Sequence, residues 1–221
     1  MKFIFILLSF NLLNVCQQRT DKSSKTAVMQ QEIIAHVADN DIHAVKALLE
    51  QGVAVNTQDQ QKRNLLLIAT INKHADMAEL LIHHGADVNM QANNLDSPFL
   101  YAGASGQTQL VKLYLKHGAR FDVFNRYHGS ALIPACERGH IETVQVLANT
   151  KGFPIDHVNN LGWTALLEAI VLGDGSERYQ AVVQILKDAG ADLHLADRNG
   201  KTPLQLAQEM GFEEIARILQ E

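Results

Sequence analysis

The sequence predicts an all-α solenoid built from repeated helix-turn-helix units. Glycines recur at Gly52, Gly85, Gly118, Gly152 and Gly190, with spacings of 33, 33, 34 and 38 residues. Amphipathic runs precede these glycines and turn-forming residues follow them, so the period is one of helix ends and helix starts. A fixed period of this length is typical of a repeat array, in which each unit buries its apolar face by stacking on its neighbours.

The stretch from Ile185 to Leu204 contains the elements of one unit in order. An amphipathic run ends just before Gly190, which can adopt the left-handed conformation that ends a helix. Residues 197–200, Asp-Arg-Asn-Gly, have the composition of a turn. Thr202 can cap the next helix, and Pro203 fits its first turn, where no backbone donor is needed.

A short signature in these units carries a family resemblance. The segment Thr202-Pro203-Leu204-Gln205-Leu206-Ala207 is similar to the Thr-Pro-Leu-His-x-Ala signature of the ankyrin repeat, except at the His. Looser matches begin at Ser97, Ser130 and Thr164, and together the in-register repetitions extend over residues 28–221. The resemblance implies an ankyrin-repeat solenoid of helix-turn-helix units with short β-hairpin connections.

Six repeats and a linker account for most of the chain. The repeats are placed at 28–56, 59–88, 93–122, 126–156, 160–194 and 198–221. The first and last are more polar and are expected to cap the array, with their outer faces in water. The fifth has surplus residues, which the Gly-rich run 173–177 places in a loop, with the following helix starting at about Tyr179. Residues 17–27 are expected to form a flexible linker.

Residues 1–16 have the order of a secretory signal. Lys2 is followed by an almost continuously apolar run over 3–13, which is too short to span a bilayer as a helix. The Cys16 that follows resembles the lipidated Cys of a bacterial lipoprotein signal, although Val15 stands where that family prefers a small residue. We therefore expect an exported protein, in the periplasm or as an outer-membrane lipoprotein, attached to a membrane only through a lipid at Cys16. The alternatives are an uncleaved anchor and a cleavage near Cys16 without lipid.

The residues that could carry catalysis are explained by the repeat pattern. A net charge of −5 without a basic cluster provides no footprint for nucleic acid. Cys136 fits a small buried position in the first helix of its repeat. Asp174 and Glu177 on an exposed loop would have ordinary acidity, which does not suit acid–base chemistry. We predict a chain that is not an enzyme and uses no cofactor.

Histidines raise the question of a metal site. His84 and His117 directly precede helix-ending glycines, where a partial positive charge complements the helix dipole. His128, His157 and His194 lie in the connections of successive repeats and could line one edge of the solenoid. No carboxylate or Cys completes a set of ligands at useful spacing, so no metal is predicted.

Binding to another protein remains as the predicted function. The resemblance implies that outward-facing, variable residues lie at the hairpin tips and late in the first helix of each repeat. In the fifth repeat and at its border, these positions include large apolar, aromatic and charged residues. The candidate partner-binding residues are Tyr127, Glu137, Arg138, Leu161, Trp163, Val171 and Leu172.

This set has the composition of an interface hot spot, with a partly exposed Trp163 expected at its centre. Alternatively, some of these side chains pack under the inserted loop. We predict a monomeric interaction module of the bacterial cell envelope whose partner is a protein. A structural or protective envelope protein without a single partner, and a secreted effector that binds host proteins, are the alternatives.

Overall fold

The computed structural model describes residues 25–221, which form six helix pairs stacked in order. The helices are α1 (25–38 in its described part), α2 (Ile42–Glu50), α3 (Leu65–Ile71), α4 (Ala75–His83), α5 (Pro98–Ala104), α6 (Thr108–Lys116), α7 (Leu132–Glu137), α8 (Ile141–Ala148), α9 (Ala165–Val171), α10 (Glu177–Asp188), α11 (Pro203–Glu209) and α12 (Glu213–Gln220). Helices α3, α5, α7, α9 and α11 pack in sequence as one layer, and α2, α4, α6, α8, α10 and α12 as a second. The predicted all-α solenoid is confirmed.

Hydrogen bonds to N-cap side chains fix where the first helix of most repeats begins. The residue before the helix accepts a hydrogen bond from the backbone N–H three residues later at Asn64, Ser97, Thr164 and Thr202. Thr202 and Gln205 also form a reciprocal capping box. Helix α7 is different: Ser130 aligns with the caps, but its buried Oγ has no hydrogen-bond partner among the described residues.

The periodic glycines end the second helices, as predicted. Gly85 and Gly190 have φ angles of +84° and +87°, in the left-handed region that side chains disfavour. The Gly85 N–H donates to the Ile82 carbonyl at 2.9 Å, and the Ala86 N–H donates to the Leu81 carbonyl at 3.0 Å. These bonds satisfy carbonyls that the helix leaves without a partner.

The core lies between the two helix layers, and equivalent residues of each repeat contribute to it. The third position of the repeat signature is buried in five repeats, at Ile33, Leu66, Phe99, Leu132 and Leu166. The equivalent Leu204, in the last helix pair described, is only half-buried. At the other end, Gln31 and Glu32 are exposed. Both ends therefore have the character expected of capping repeats.

The connections between repeats are tight turns with very little strand pairing. Among residues 25–221 the only β-bridge is the isolated one between Gln58 and Asn64. In the tip before α9, the Asn159 N–H donates to the Trp163 carbonyl at 3.0 Å, and the Asn159 Oδ1 accepts from the Leu161 and Trp163 N–H groups at 2.9 and 3.0 Å. Backbone and side chain together close this turn.

The surplus length of the fifth repeat is shared between a loop and a helix. The connection over 172–176 is longer by two residues than the one over 72–74. Helix α10 has 12 residues where α4 has 9. It starts at Glu177 and not near Tyr179 as predicted, because Ser176 takes the cap position and Glu177 the first turn.

The predicted boundary between the linker and the first repeat also needs correction. Residues 25–27 belong to α1, so the predicted linker over 17–27 overlaps the first helix of the solenoid. The predicted signal over 1–16, Cys16 and residues 17–24 lie outside the described residues. Within 25–221, no helix has the length and apolar character needed to cross a membrane.

Candidate functional site

Four of the seven predicted partner-binding residues line one groove between the fourth and fifth repeats. We call it the acidic groove and define it by Tyr127, Pro134, Glu137, Leu161, Glu168 and Leu172, with a volume of about 270 Å³. Tyr127 and Leu161 come from the tips that precede α7 and α9. Pro134 and Glu137 lie on α7, Glu168 lies on α9, and Leu172 directly follows α9. The groove is therefore built from two adjacent repeats.

The apolar walls of the acidic groove are open to solvent. Tyr127 is 50% exposed, and Leu161 and Leu172 are each 47% exposed. These three side chains do not pack under the inserted loop, so the alternative fails for them. Trp163 and Val171 are half-buried.

Asparagine side chains fix the positions of the two tips. The Asn125 Oδ1 accepts from the Tyr127 and Gly129 N–H groups, both at 2.9 Å. Asn159 holds the next tip in the same way, through the N–H groups of Leu161 and Trp163. The Asn160 N–H also donates to the Tyr127 carbonyl at 2.8 Å, which links the tips directly. The walls of the groove therefore stand on hydrogen-bonded turns.

A buried carboxyl group is among the residues that line the groove. Glu168 is only 4% exposed, and its Oε1 accepts a hydrogen bond of 2.7 Å from the Asn159 Nδ2. Burial raises the pKa of Glu168 to about 7, the hydrogen bond from Asn159 opposes this rise, and the nearby negative charge of Glu137 adds to it. The groove thus has apolar walls and an ionisable acid beneath them.

Sequence reasoning missed Glu168, although a signal was present. It is the one charged residue in the run Ala-Leu-Leu-Glu-Ala-Ile-Val that forms α9. The repeat signature leaves its position variable, so it predicts no role for this residue. A charge among buried apolar neighbours requires a partner or a shifted pKa and is for that reason a candidate for function.

The other predicted residues lie around the groove and not in it. Arg138 is exposed, and its guanidinium donates to the Ala104 carbonyl. It lines a neighbouring depression of about 250 Å³ that also contains Asp96 and Ser130. Trp163 is partly exposed as predicted, but its side chain is not among those lining the groove. The Asn159 turn presents Leu161 to the groove, and the predicted central role of Trp163 in partner binding stays a prediction.

The histidines considered as metal ligands contact aromatic rings or are exposed to solvent. In residues 25–221, no group of three or more His, Cys, Asp or Glu side chains could hold a metal ion. His128 and His157 do meet, with ring centroids 5.1 Å apart, and Phe124 stacks on His157 at 4.2 Å. His194 is exposed.

Cys136 and the loop acids lack the environment of catalytic groups. The Cys136 thiol is fully buried, as predicted, and burial raises its pKa well above the usual range. Asp174 was expected to have ordinary acidity, but hydrogen bonds from Ser176 lower its pKa. Glu177 lies in the first turn of α10 and not in the loop.

Comparison with known proteins identifies the family. The family model for ankyrin repeats, described as three copies, matches residues 7–92 and 99–197. The chain is an ankyrin-repeat protein. It is 41% identical over 179 residues to YahD, an ankyrin repeat protein of Escherichia coli (strain K12), and the match covers 81% of this chain and 89% of YahD.

Solved structures agree with this family and fold. An ankyrin repeat domain from Acinetobacter baumannii AYE superposes with a TM-score of 0.83 at 46% identity, covering 86% of this chain and 96% of that one. The ankyrin repeat protein EF0377 gives a TM-score of 0.83 at 38% identity, with the same coverage of 86% and 96%. Ankyrin repeats generally mediate protein–protein interactions, and the family is generally non-catalytic.

Proposed function

We propose that this ankyrin-repeat protein is a non-catalytic, monomeric scaffold that binds a partner protein through the acidic groove. The observation that supports this most strongly is the cluster of Tyr127, Leu161 and Leu172, three large side chains about half exposed around one groove. Single exposed apolar residues are ordinary on protein surfaces, but a contiguous group marks an interaction site. Tyrosine is also among the residues that most often dominate the binding energy of an interface.

We further propose that the protein acts in the bacterial cell envelope. The support is the order of Lys2, the apolar run over 3–13 and Cys16, which suits export followed by lipidation. A lipid on Cys16 would tether the scaffold to a membrane and leave the repeats facing the periplasm.

The proposal is tested by capturing partners from fractionated cells that express the protein naturally. We expect the tagged protein in the envelope fraction, together with a partner that is enriched with wild type. The double variant Leu161→Ser/Leu172→Ser removes the apolar walls and should lose the partner. Val158→Ser is the matched control, because Val158 is 45% exposed but is not part of the groove.

Two outcomes would contradict the proposal in different ways. Equal enrichment of the partner with wild type and the double variant would exclude the acidic groove as the binding site. Recovery from the cytosolic fraction, with an intact mass that starts at Met1, would exclude the envelope location.

A further inference from the structure

We propose that the acidic groove binds a basic side chain, an arginine or a lysine, that the partner protein presents. This inference rests on the proposed function, since it specifies the chemistry of the partner at the same site. It follows from the apolar residues that line the groove, its two glutamates and the depression beside it.

The groove has the two environments that a long basic side chain requires. Its mouth is formed by Tyr127, Leu161 and Leu172, which can cover the methylene stem of an arginine or lysine. Its lining also includes Glu137 and the buried Glu168. A guanidinium or ammonium group placed there would form charge-assisted hydrogen bonds in partly desolvated surroundings.

The carboxyl groups of the groove are available for such a cation. Neither Glu168 nor Glu137 takes part in an ion pair within the part of the chain that the structure describes. The Glu168 Oε1 accepts from Asn159, and Oε2 makes no hydrogen bond to residues 25–221. A basic side chain of a partner would supply the positive charge to pair with Glu168.

The nearby arginines of this chain are engaged elsewhere. The Arg126 guanidinium lies over the Tyr127 ring, 4.8 Å from its centroid. Arg138 donates to the Ala104 carbonyl. Within residues 25–221, neither glutamate of the groove has a cation of this chain as an ion-pair partner.

A second depression beside the groove could accommodate more of a partner than one side chain. It has a volume of about 250 Å³ and shares Tyr127, Pro134 and Glu137 with the acidic groove, so the two are adjacent. It also contains Ser130, whose buried Oγ has no hydrogen-bond partner among residues 25–221. A peptide carrying a basic side chain could place that side chain in the groove and a polar main-chain group near Ser130.

The test uses blocked single amino acids as probes and NMR of the isotope-labelled protein. N-acetyl-arginine amide is compared with N-acetyl-citrulline amide, which has nearly the same shape but no charge. We expect the arginine probe to shift the backbone amides of residues 159–161 and 168–172. The citrulline probe should bind about tenfold more weakly, the size expected for loss of one charge-assisted hydrogen bond.

Two glutamate variants identify the residue responsible. Glu168→Gln keeps an acceptor for the Asn159 amide but removes the charge, so the arginine probe should also bind it about tenfold more weakly. Glu142→Gln on α8 is the control, because Glu142 is exposed and outside the groove, and should bind like wild type. Equal binding of the two probes, or an unchanged affinity of Glu168→Gln, would overturn the inference.

The capture experiment separates this inference from the proposed function. A partner that is lost with Leu161→Ser/Leu172→Ser but retained with Glu168→Gln would overturn the inference that the groove binds a basic side chain. It would leave the proposed scaffold function intact. A partner retained by both variants would overturn both proposals. Loss with both variants, with Glu142→Gln unaffected, is the expected result.

Discussion

Replacing Leu166 with alanine is expected to lower the free energy of unfolding by about 2–5 kcal/mol, the range found for buried leucines. Leu166 is 1% exposed on α9, at the leucine position of the repeat signature. Helix α9 packs between α7 and α11, so the cavity would weaken two interfaces between repeats. Because a solenoid is stabilised mainly by contacts between neighbouring units, such a loss affects the whole array.

Leu172→Ala is the matched control for this prediction. It removes the same atoms from the same repeat, but Leu172 is 47% exposed and should change stability by no more than about 0.5 kcal/mol. Urea unfolding of wild type and both variants measures the difference. Equal midpoints for Leu166→Ala and wild type would show that the repeat register is wrong.

The second large effect is a fall in stability as the pH rises, caused by Glu168. Its pKa is about 7 in the folded chain, against the ordinary value of 4.5. Between these two values the folded state retains a proton that the unfolded state releases, so stability decreases as pH rises through this window. The contribution lost amounts to about 3 kcal/mol for a shift of this size.

Glu168→Gln isolates this contribution, because glutamine cannot ionise and still accepts from Asn159. Relative to wild type, the variant should become more stable by about 3 kcal/mol between about pH 4 and pH 8. Urea unfolding across this range provides the measurement, with Glu142→Gln expected to follow wild type. Parallel pH profiles for wild type and Glu168→Gln would contradict the raised pKa.

Local signals explain why the fold could be predicted from the sequence. A helix end at Gly190 and a cap at Thr202 depend on residues a few positions apart, and such interactions are visible in the sequence itself. The burial of Leu166 also follows, since each repeat must cover the apolar face of the next. The start of α10 was misjudged because two glycines outweighed the cap position of Ser176.

The candidate site depends on contacts between repeats, and these were harder to predict. Tyr127, Leu161 and Leu172 were expected on the surface from their positions in the repeat, and the structure brings them to one groove. The direction in which the Asn159 turn presents Leu161 and Trp163 depends on hydrogen bonds that the signature does not specify. Glu168 was missed because its hydrogen bond from Asn159 and its proximity to Glu137 exist only in the folded array.

Photo-crosslinking in cells tests the binding role of the acidic groove most directly. A benzophenone amino acid is introduced in place of Leu172, and separately in place of Val158, which is similarly exposed but outside the groove. The account predicts a discrete adduct with one partner protein from position 172 and none from position 158. The same adducts from both positions, or an adduct from position 158 alone, would contradict it.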